Sequence, residues 1–134
     1  MKRFALAYLG ALLALIILDG LWLGVLMGPT YKAMLGPLML DQPRWLPALL
    51  FYLLYPLGVA YFAVLPGLLS GRLGRALSSG ALLGLIAYGT YDLSNWATLT
   101  GWPGALVAID MAWGVVISAL SAAAGVFIAR RATE

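Results

Sequence analysis

The chain of 134 residues contains neither cysteine nor histidine. Without cysteine it forms no disulfide and offers no thiolate as a nucleophile or metal ligand. Without histidine it lacks the usual ligand of zinc and haem iron and the usual acid–base catalyst at neutral pH. We therefore expect no metal and no other cofactor.

Charged residues are scarce, at 10% of the chain, whereas 63% of the residues are hydrophobic. A soluble domain carries about 25% charged residues, so this chain has too little polar surface to cover a globule in water. The mean hydropathy of +0.97 agrees with a membrane protein whose partner is lipid. The net charge of +3 is expected to reflect membrane topology, and no nucleic-acid partner is expected.

Four long apolar segments occupy most of the sequence, and each is long enough for a helix that crosses a bilayer, which needs roughly 20 residues. They predict an all-α membrane protein, a bundle of four transmembrane helices within one domain over residues 1–134. The first apolar stretch is longer than that of a cleavable signal peptide, so we expect it to be retained. The predicted spans cover residues 4–27, 46–69, 77–99 and 104–129.

The basic residues are divided unequally between the two sides of these spans, which predicts their orientation. The positive-inside rule places the richer side, and with it both termini, in the cytoplasm. The 28–45 connection then faces outward, and it is apolar enough to form a short interfacial helix or a lid. The alternative is a turn packed against the bundle. Six basic residues lie on the inner side and two on the outer: Lys2, Arg3, Arg72, Arg75, Arg130 and Arg131, against Lys32 and Arg44.

Small residues recur along three of the spans at spacings that allow helices to approach closely in lipid. We expect these residues to mediate packing within one bundle, while a homodimer seam is the alternative. They are Gly20, Gly24 and Gly28 in the first span, Gly80 and Gly84 in the third, and Gly114, Ser118 and Gly125 in the fourth.

Three aspartates, Asp19, Asp92 and Asp110, interrupt the apolar segments. A charged aspartate at the bilayer centre costs about 2.5–3.5 kcal/mol, so such residues usually face a protein interior or a wet cavity. The predicted directions of the spans place all three at a similar height in the outer part of the bilayer. They are therefore expected to form one cluster.

Aromatic and polar residues share helix faces with these aspartates. Trp22 follows Asp19 by three residues, and Trp113 follows Asp110 at the same spacing. Pro56 is expected to bend the second span and lean two tyrosines toward the outer half. The candidate ligand- or proton-binding site comprises Asp19, Trp22, Tyr52, Tyr55, Tyr88, Asp92, Asn95, Asp110 and Trp113.

Three hypotheses account for this cluster. In the first, it binds a small or lipid-like molecule, or couples the passage of that molecule to protons; the acids and aromatic walls would suit a cation. In the second, the carboxyl groups only accept hydrogen bonds that stabilise helix packing in a structural or accessory protein. In the third, two carboxyl groups serve as acid and base in an enzyme that modifies envelope lipids. No nucleophile motif supports the third, so the balance leans away from an enzyme and no catalytic residue is predicted.

The same residues lie in motifs that resemble a known family. DGLWLG, FYLLYPLGVAYFAVLP, YDLSNWATLTGWP and IDMAWG occur in the order typical of bacterial membrane proteins with domain of unknown function 2177. The resemblance extends from about Leu18 to Gly125. It implies a multi-pass protein of the bacterial inner membrane with four helices, and it implies no activity.

Overall fold

The fold is described by a computed structural model of all 134 residues, and it is built from helices without any strand. A π-helical turn, Trp22–Leu26, extends the first helix, and a second, Ala60–Val64, joins the third helix to the fourth. The all-α prediction is confirmed. The helices are α1 (Lys2–Leu21), α2 (Gly28–Leu35), α3 (Trp45–Val59), α4 (Leu65–Ser70), α5 (Leu73–Thr98) and α6 (Gly104–Arg131).

Three continuous helical stretches are long and apolar enough to cross a membrane: Lys2–Leu26, Trp45–Ser70 and Gly104–Arg131. The fourth predicted span lies in α5, whose 26 residues would extend about 39 Å at 1.5 Å per residue. Its length is sufficient, but its second half carries Asp92, Asn95 and several hydroxyl side chains, which lower its hydropathy. The crossing by α5 and the orientation of the bundle stay predictions.

Helix α6 is the centre of the bundle, because α1 and α5 both pack along it. Glycine makes the α5–α6 approach close: a Cβ on Gly80 would lie 2.7 Å from the carbonyl oxygen of Ser118. On the other side of α6, a Cβ on Gly10 would lie 2.9 Å from the Cα of Gly125. Backbone contact of this kind replaces the hydrophobic effect as the source of helix association in lipid.

The prediction that these small residues pack within one bundle is confirmed for the glycines of α5 and α6 and wrong for Gly20 and Gly24. A Cβ on Gly84 would collide with the carbonyl of Gly114, whereas Gly20 and Gly24 have no neighbour within 4 Å of the position that a Cβ would take. The reason is rotational: these two glycines lie on the exposed side of their helix, away from α6. Spacing alone does not define which side of a helix carries the contact.

The helices converge at the end of the bundle that carries the chain termini and separate toward the other end. At the converged end, α4 and the Ala60–Val64 turn both pack on α5. Beyond the buried Pro56, α3 packs on α1 and α6 and makes little contact with α5. The core of the converged end consists mainly of small and branched apolar residues: Ala7, Ala11, Val59, Ala60, Ala63, Val64, Leu68, Ala76, Ala122, Val126 and Ala129.

The 28–45 connection contains the predicted short helix, α2, followed by a 3₁₀ turn at Gly36–Leu38. Gly36 has a φ of 55°, a left-handed conformation that glycine adopts without steric penalty, and it ends α2. Tyr31 on α2 is only 7% exposed, so the connection packs on the open end of the bundle. Its position relative to a membrane surface stays a prediction.

The close approach of α5 to α6 yields a stability prediction. Gly84→Leu would push a side chain against the α6 backbone, and overpacking of this kind typically costs about 1–3 kcal/mol. We expect a clearly lower unfolding midpoint in detergent. Gly74→Leu, on the same helix with open space at its Cβ, serves as the control and should unfold near the wild-type midpoint. Equal midpoints for the two variants would contradict the packing described here.

Candidate functional site

Asp19 joins three helices through its carboxyl group. The hydroxyl of Tyr52 on α3 donates a hydrogen bond to Oδ2, and Nε1 of Trp113 on α6 donates to Oδ1 at 3.1 Å. The residue is 6% exposed, so these donors replace most of the water that the carboxyl group would otherwise bind. Hydrogen bonds to an ionised acceptor are about twice as strong as neutral ones.

Asp110 is held by a chain of two aromatic donors. The hydroxyl of Tyr31 donates to Oδ1 of Asp110 at 2.9 Å, and Nε1 of Trp22 donates to that hydroxyl at 3.0 Å. Burial raises the pKa of the Tyr31 hydroxyl above its ordinary value, which keeps it protonated as a donor. The 28–45 connection is thereby tied directly to α6.

Stacking of two tryptophans links the two carboxyl groups into one assembly. The rings of Trp22 and Trp113 are parallel within 4°, with their centroids 4.3 Å apart. Trp113 bonds Asp19 while Trp22 reaches Asp110 through Tyr31. Each tryptophan lies three residues after the aspartate on its own helix, but the hydrogen bonds run crosswise between helices.

A cavity of about 530 Å³ lies beside this assembly. Seven of its twelve lining residues are aromatic, two are aspartates and none is lysine or arginine. The two basic residues of the nearby connection, Lys32 and Arg44, are exposed. The lining residues are Asp19, Trp22, Leu23, Tyr31, Met39, Phe51, Tyr55, Ala87, Tyr88, Tyr91, Asp110 and Trp113.

Asp92 is the most unusual residue of the cluster. It is fully buried on α5, and neither of its carboxyl oxygens has a hydrogen-bond partner. It lies close enough to Asp110 for the two carboxyl groups to interact electrostatically, and for them to share a hydrogen bond when one of them is protonated. A buried polar group that receives no hydrogen bond costs about 1–3 kcal/mol, so burial of this carboxyl group lowers the stability of the fold.

The structure brings most of the nine predicted site residues together. Six line the cavity: Asp19, Trp22, Tyr55, Tyr88, Asp110 and Trp113. Tyr52 is outside the wall and bonds Asp19, whereas Asp92 lies outside it beside Asp110. Asn95 neither lines the cavity nor makes a side-chain hydrogen bond to the cluster, because it lies nearly one helical turn beyond Asp92, toward the end of α5.

Sequence reasoning missed several cavity residues. Tyr31 was predicted only as part of an apolar connection, yet it is the residue that bonds Asp110. Phe51 and Tyr91 complete the aromatic wall of the cavity. Neither was predicted as a site residue. The signal that could have identified Tyr31 is a polar hydroxyl in an otherwise apolar outer connection.

The charge and polarity of the residues that line the cavity suit some classes of ligand better than others. The three aspartates do not form a group that could hold a metal ion. Two acids, aromatic faces and no base suit a positively charged organic group or a strong hydrogen-bond donor. An anionic group would meet two carboxyl groups without any compensating cation.

The fold and the site define a helical membrane protein with an acidic, aromatic-lined cavity at one end of its bundle. Residues 4–127 match the family model described as predicted membrane protein (DUF2177), so the chain belongs to that family. The resemblance derived from the motifs is thereby confirmed. Searches of curated proteins and of solved structures returned no match.

The unpartnered carboxyl group of Asp92 predicts an unusual response to mutation. Asp92→Leu places an apolar group of similar shape in the same space and removes an unsatisfied polar group, so the free energy of unfolding should rise by about 1–3 kcal/mol. The measurement is the unfolding midpoint in detergent. Asp41→Leu, in the exposed part of the connection, controls for loss of one negative charge and should change little. A lower midpoint for Asp92→Leu would indicate that the carboxyl group has a stabilising partner.

Proposed function

We propose that the cavity is a binding site for a small organic cation within the membrane. The observation that carries the proposal is the absence of any basic residue among the twelve that line it, although two of them are aspartates. The partners of Asp19 and Asp110 are neutral hydroxyl and indole donors, so no cationic side chain is paired with either carboxyl group. A bound cation would supply that pairing.

The aromatic walls add a second source of affinity. Cations are attracted to the faces of tryptophan and tyrosine by about 0.5–1 kcal/mol in exposed sites and about 2 kcal/mol or more when desolvated. Trp22 and Trp113 present a stacked pair at the cavity, and their indole nitrogens are fixed by hydrogen bonds. Side chains fixed in this way lose little entropy when a ligand binds.

The size of the cavity also supports binding over purely structural hydrogen bonding. Sites for small molecules measure about 300–1,000 Å³, and the volume of about 530 Å³ lies in that range. Aspartates that only join helices need donors but no space beside them, whereas a tightly packed bundle normally fills such space. A structural or accessory function is the alternative, and it predicts that the cavity binds nothing.

Proton-linked passage of the cation is a second candidate, favoured by Asp92. A buried carboxyl group without a partner, next to the cavity acid Asp110, can exchange a proton as its neighbour gains or loses a cation. Under the predicted topology of four spans in a bacterial inner membrane, with both termini inside, the cavity opens toward the outer face. The six basic residues on one side and two on the other support that orientation. No observation favours an enzyme that modifies lipids.

The binding proposal is tested with tetramethylammonium and purified protein in a neutral detergent. Asp110→Asn removes the charge while its carbonyl oxygen still accepts the hydrogen bond from Tyr31, so the fold should persist. We expect equilibrium binding to weaken about tenfold or more, which corresponds to about 1.4 kcal/mol. Asp41→Asn, in the exposed connection, should bind like the wild type.

Two outcomes contradict the proposal. Wild-type protein that binds no tetramethylammonium would favour the structural alternative. Equal binding by Asp110→Asn and wild type would show that the cation sits elsewhere. Because a protonated carboxyl group carries no charge, binding should also weaken at low pH in the wild type.

Proton-linked passage is tested in proteoliposomes with an imposed pH gradient. Wild-type protein should move tetramethylammonium faster when the gradient drives protons in the opposite direction. Asp92→Asn should make flux independent of the gradient while equilibrium binding is retained, because the cavity wall is unchanged. If tetramethylammonium flux in the wild type does not depend on the pH gradient, proton-linked passage is excluded and only the binding function is retained.

A further inference from the structure

A second cavity of about 610 Å³ is lined by α3, the Ala60–Val64 turn and α5. Eight of its nine lining residues are hydrophobic and none is charged. Leu54 and Tyr61 on its rim are 68% and 60% exposed, so it is an open groove on the side of the bundle. In a membrane this side faces lipid hydrocarbon.

The groove and the acidic cavity adjoin each other. Phe51, Tyr55 and Ala87 line both. The hydroxyl of Tyr55 is hydrogen-bonded to the hydroxyl of Ser118 at 2.6 Å, and the ring of Phe51 stacks on that of Tyr55 at 5.5 Å. The shared wall is therefore a fixed aromatic pair with an alanine opposite it.

We propose that the ligand is a membrane amphiphile with a cationic head, which enters from the bilayer between α3 and α5. Its head lies between Asp19 and Asp110, and its hydrocarbon chain lies in the groove. This inference rests on the proposed binding function and adds the class of ligand and its route.

Charge and polarity along the two cavities match such a molecule from one end to the other. Both acids lie in one cavity and none in the groove, so a cationic head and an apolar chain each have one place. A small cation from water gains nothing from the apolar groove. A chain that moves from lipid into the groove exchanges one apolar surrounding for another, so the groove accommodates the chain at little cost.

Gly58 allows the groove to be closed without disturbing the acidic cavity. It lines only the groove, and a Cβ at this position would have no neighbour within 4 Å. Gly58→Phe would therefore fill the groove and leave the bundle intact. Gly20→Phe is the matched control, since Gly20 is also a helical glycine with open space at its Cβ and lines neither cavity.

The experiment compares dodecyltrimethylammonium with tetramethylammonium, which has the same head and no long chain. Binding is measured in nanodiscs of phosphatidylglycerol, a lipid without a cationic head, with empty nanodiscs subtracted. Gly58→Phe should weaken binding of the dodecyl probe about tenfold or more by steric exclusion of its chain. It should leave tetramethylammonium binding unchanged, and Gly20→Phe should bind both probes like the wild type.

The outcomes separate this inference from the function on which it rests. Unchanged binding of the dodecyl probe by Gly58→Phe overturns the amphiphile and its route while the cation site stands. Absence of binding for both probes in the wild type overturns the cation site and this inference together.

A second measurement locates the chain directly. A dodecyl probe with a photoreactive diazirine at its chain end should label the groove segments near Gly58 and Leu83, and Asp110→Asn should remove that labelling. Labelling spread evenly over exposed helix faces, and unaffected by Asp110→Asn, would overturn the proposed position of the chain.

Discussion

Carboxyl groups inside an apolar bundle need hydrogen-bond partners. The hydrogen bonds to Asp19 and Asp110 organise the open end of this molecule. Asp19 receives donors from α3 and α6, and Asp110 receives one from the connection between α1 and α3. Each bond crosses from one element to another, so the two acids join α1, α3, α6 and the 28–45 connection at this end. Removal of either acid would leave buried hydroxyl or indole donors without acceptors.

The open end contrasts with the opposite end, where the helices pack closely around small apolar residues. Alanine and glycine allow backbone contact along α1, α5 and α6, and the Ala60–Val64 turn brings the second long helix onto α5. Beyond Pro56 the helices diverge, and large aromatic side chains cannot fill the space completely. The cavity and the groove adjoin each other at Phe51, Tyr55 and Ala87.

Much of this arrangement could be predicted from the sequence, because lipid restricts the alternatives. The four apolar segments coincide within a few residues with the long helices, and Asp19, Trp22, Asp110 and Trp113 are joined by hydrogen bonds and ring stacking. Helix rotation could not be predicted: Gly20 has the spacing of a contact residue and faces open space. Tyr31 was not identified because its role depends on how the connection folds over the bundle. The lack of a donor to Asp92 could not be predicted either, since the sequence shows an acid but not which groups surround it.

The proposed function requires a cation in the space between Asp19 and Asp110. An experimental structure with tetramethylarsonium, which has the shape of tetramethylammonium and contains an anomalous scatterer, tests it most directly. We predict one anomalous peak in the acidic cavity, against the faces of Trp22 or Trp113 and near both carboxyl groups. A cavity closed by its own side chains, or a peak only at other places on the protein, would contradict the account.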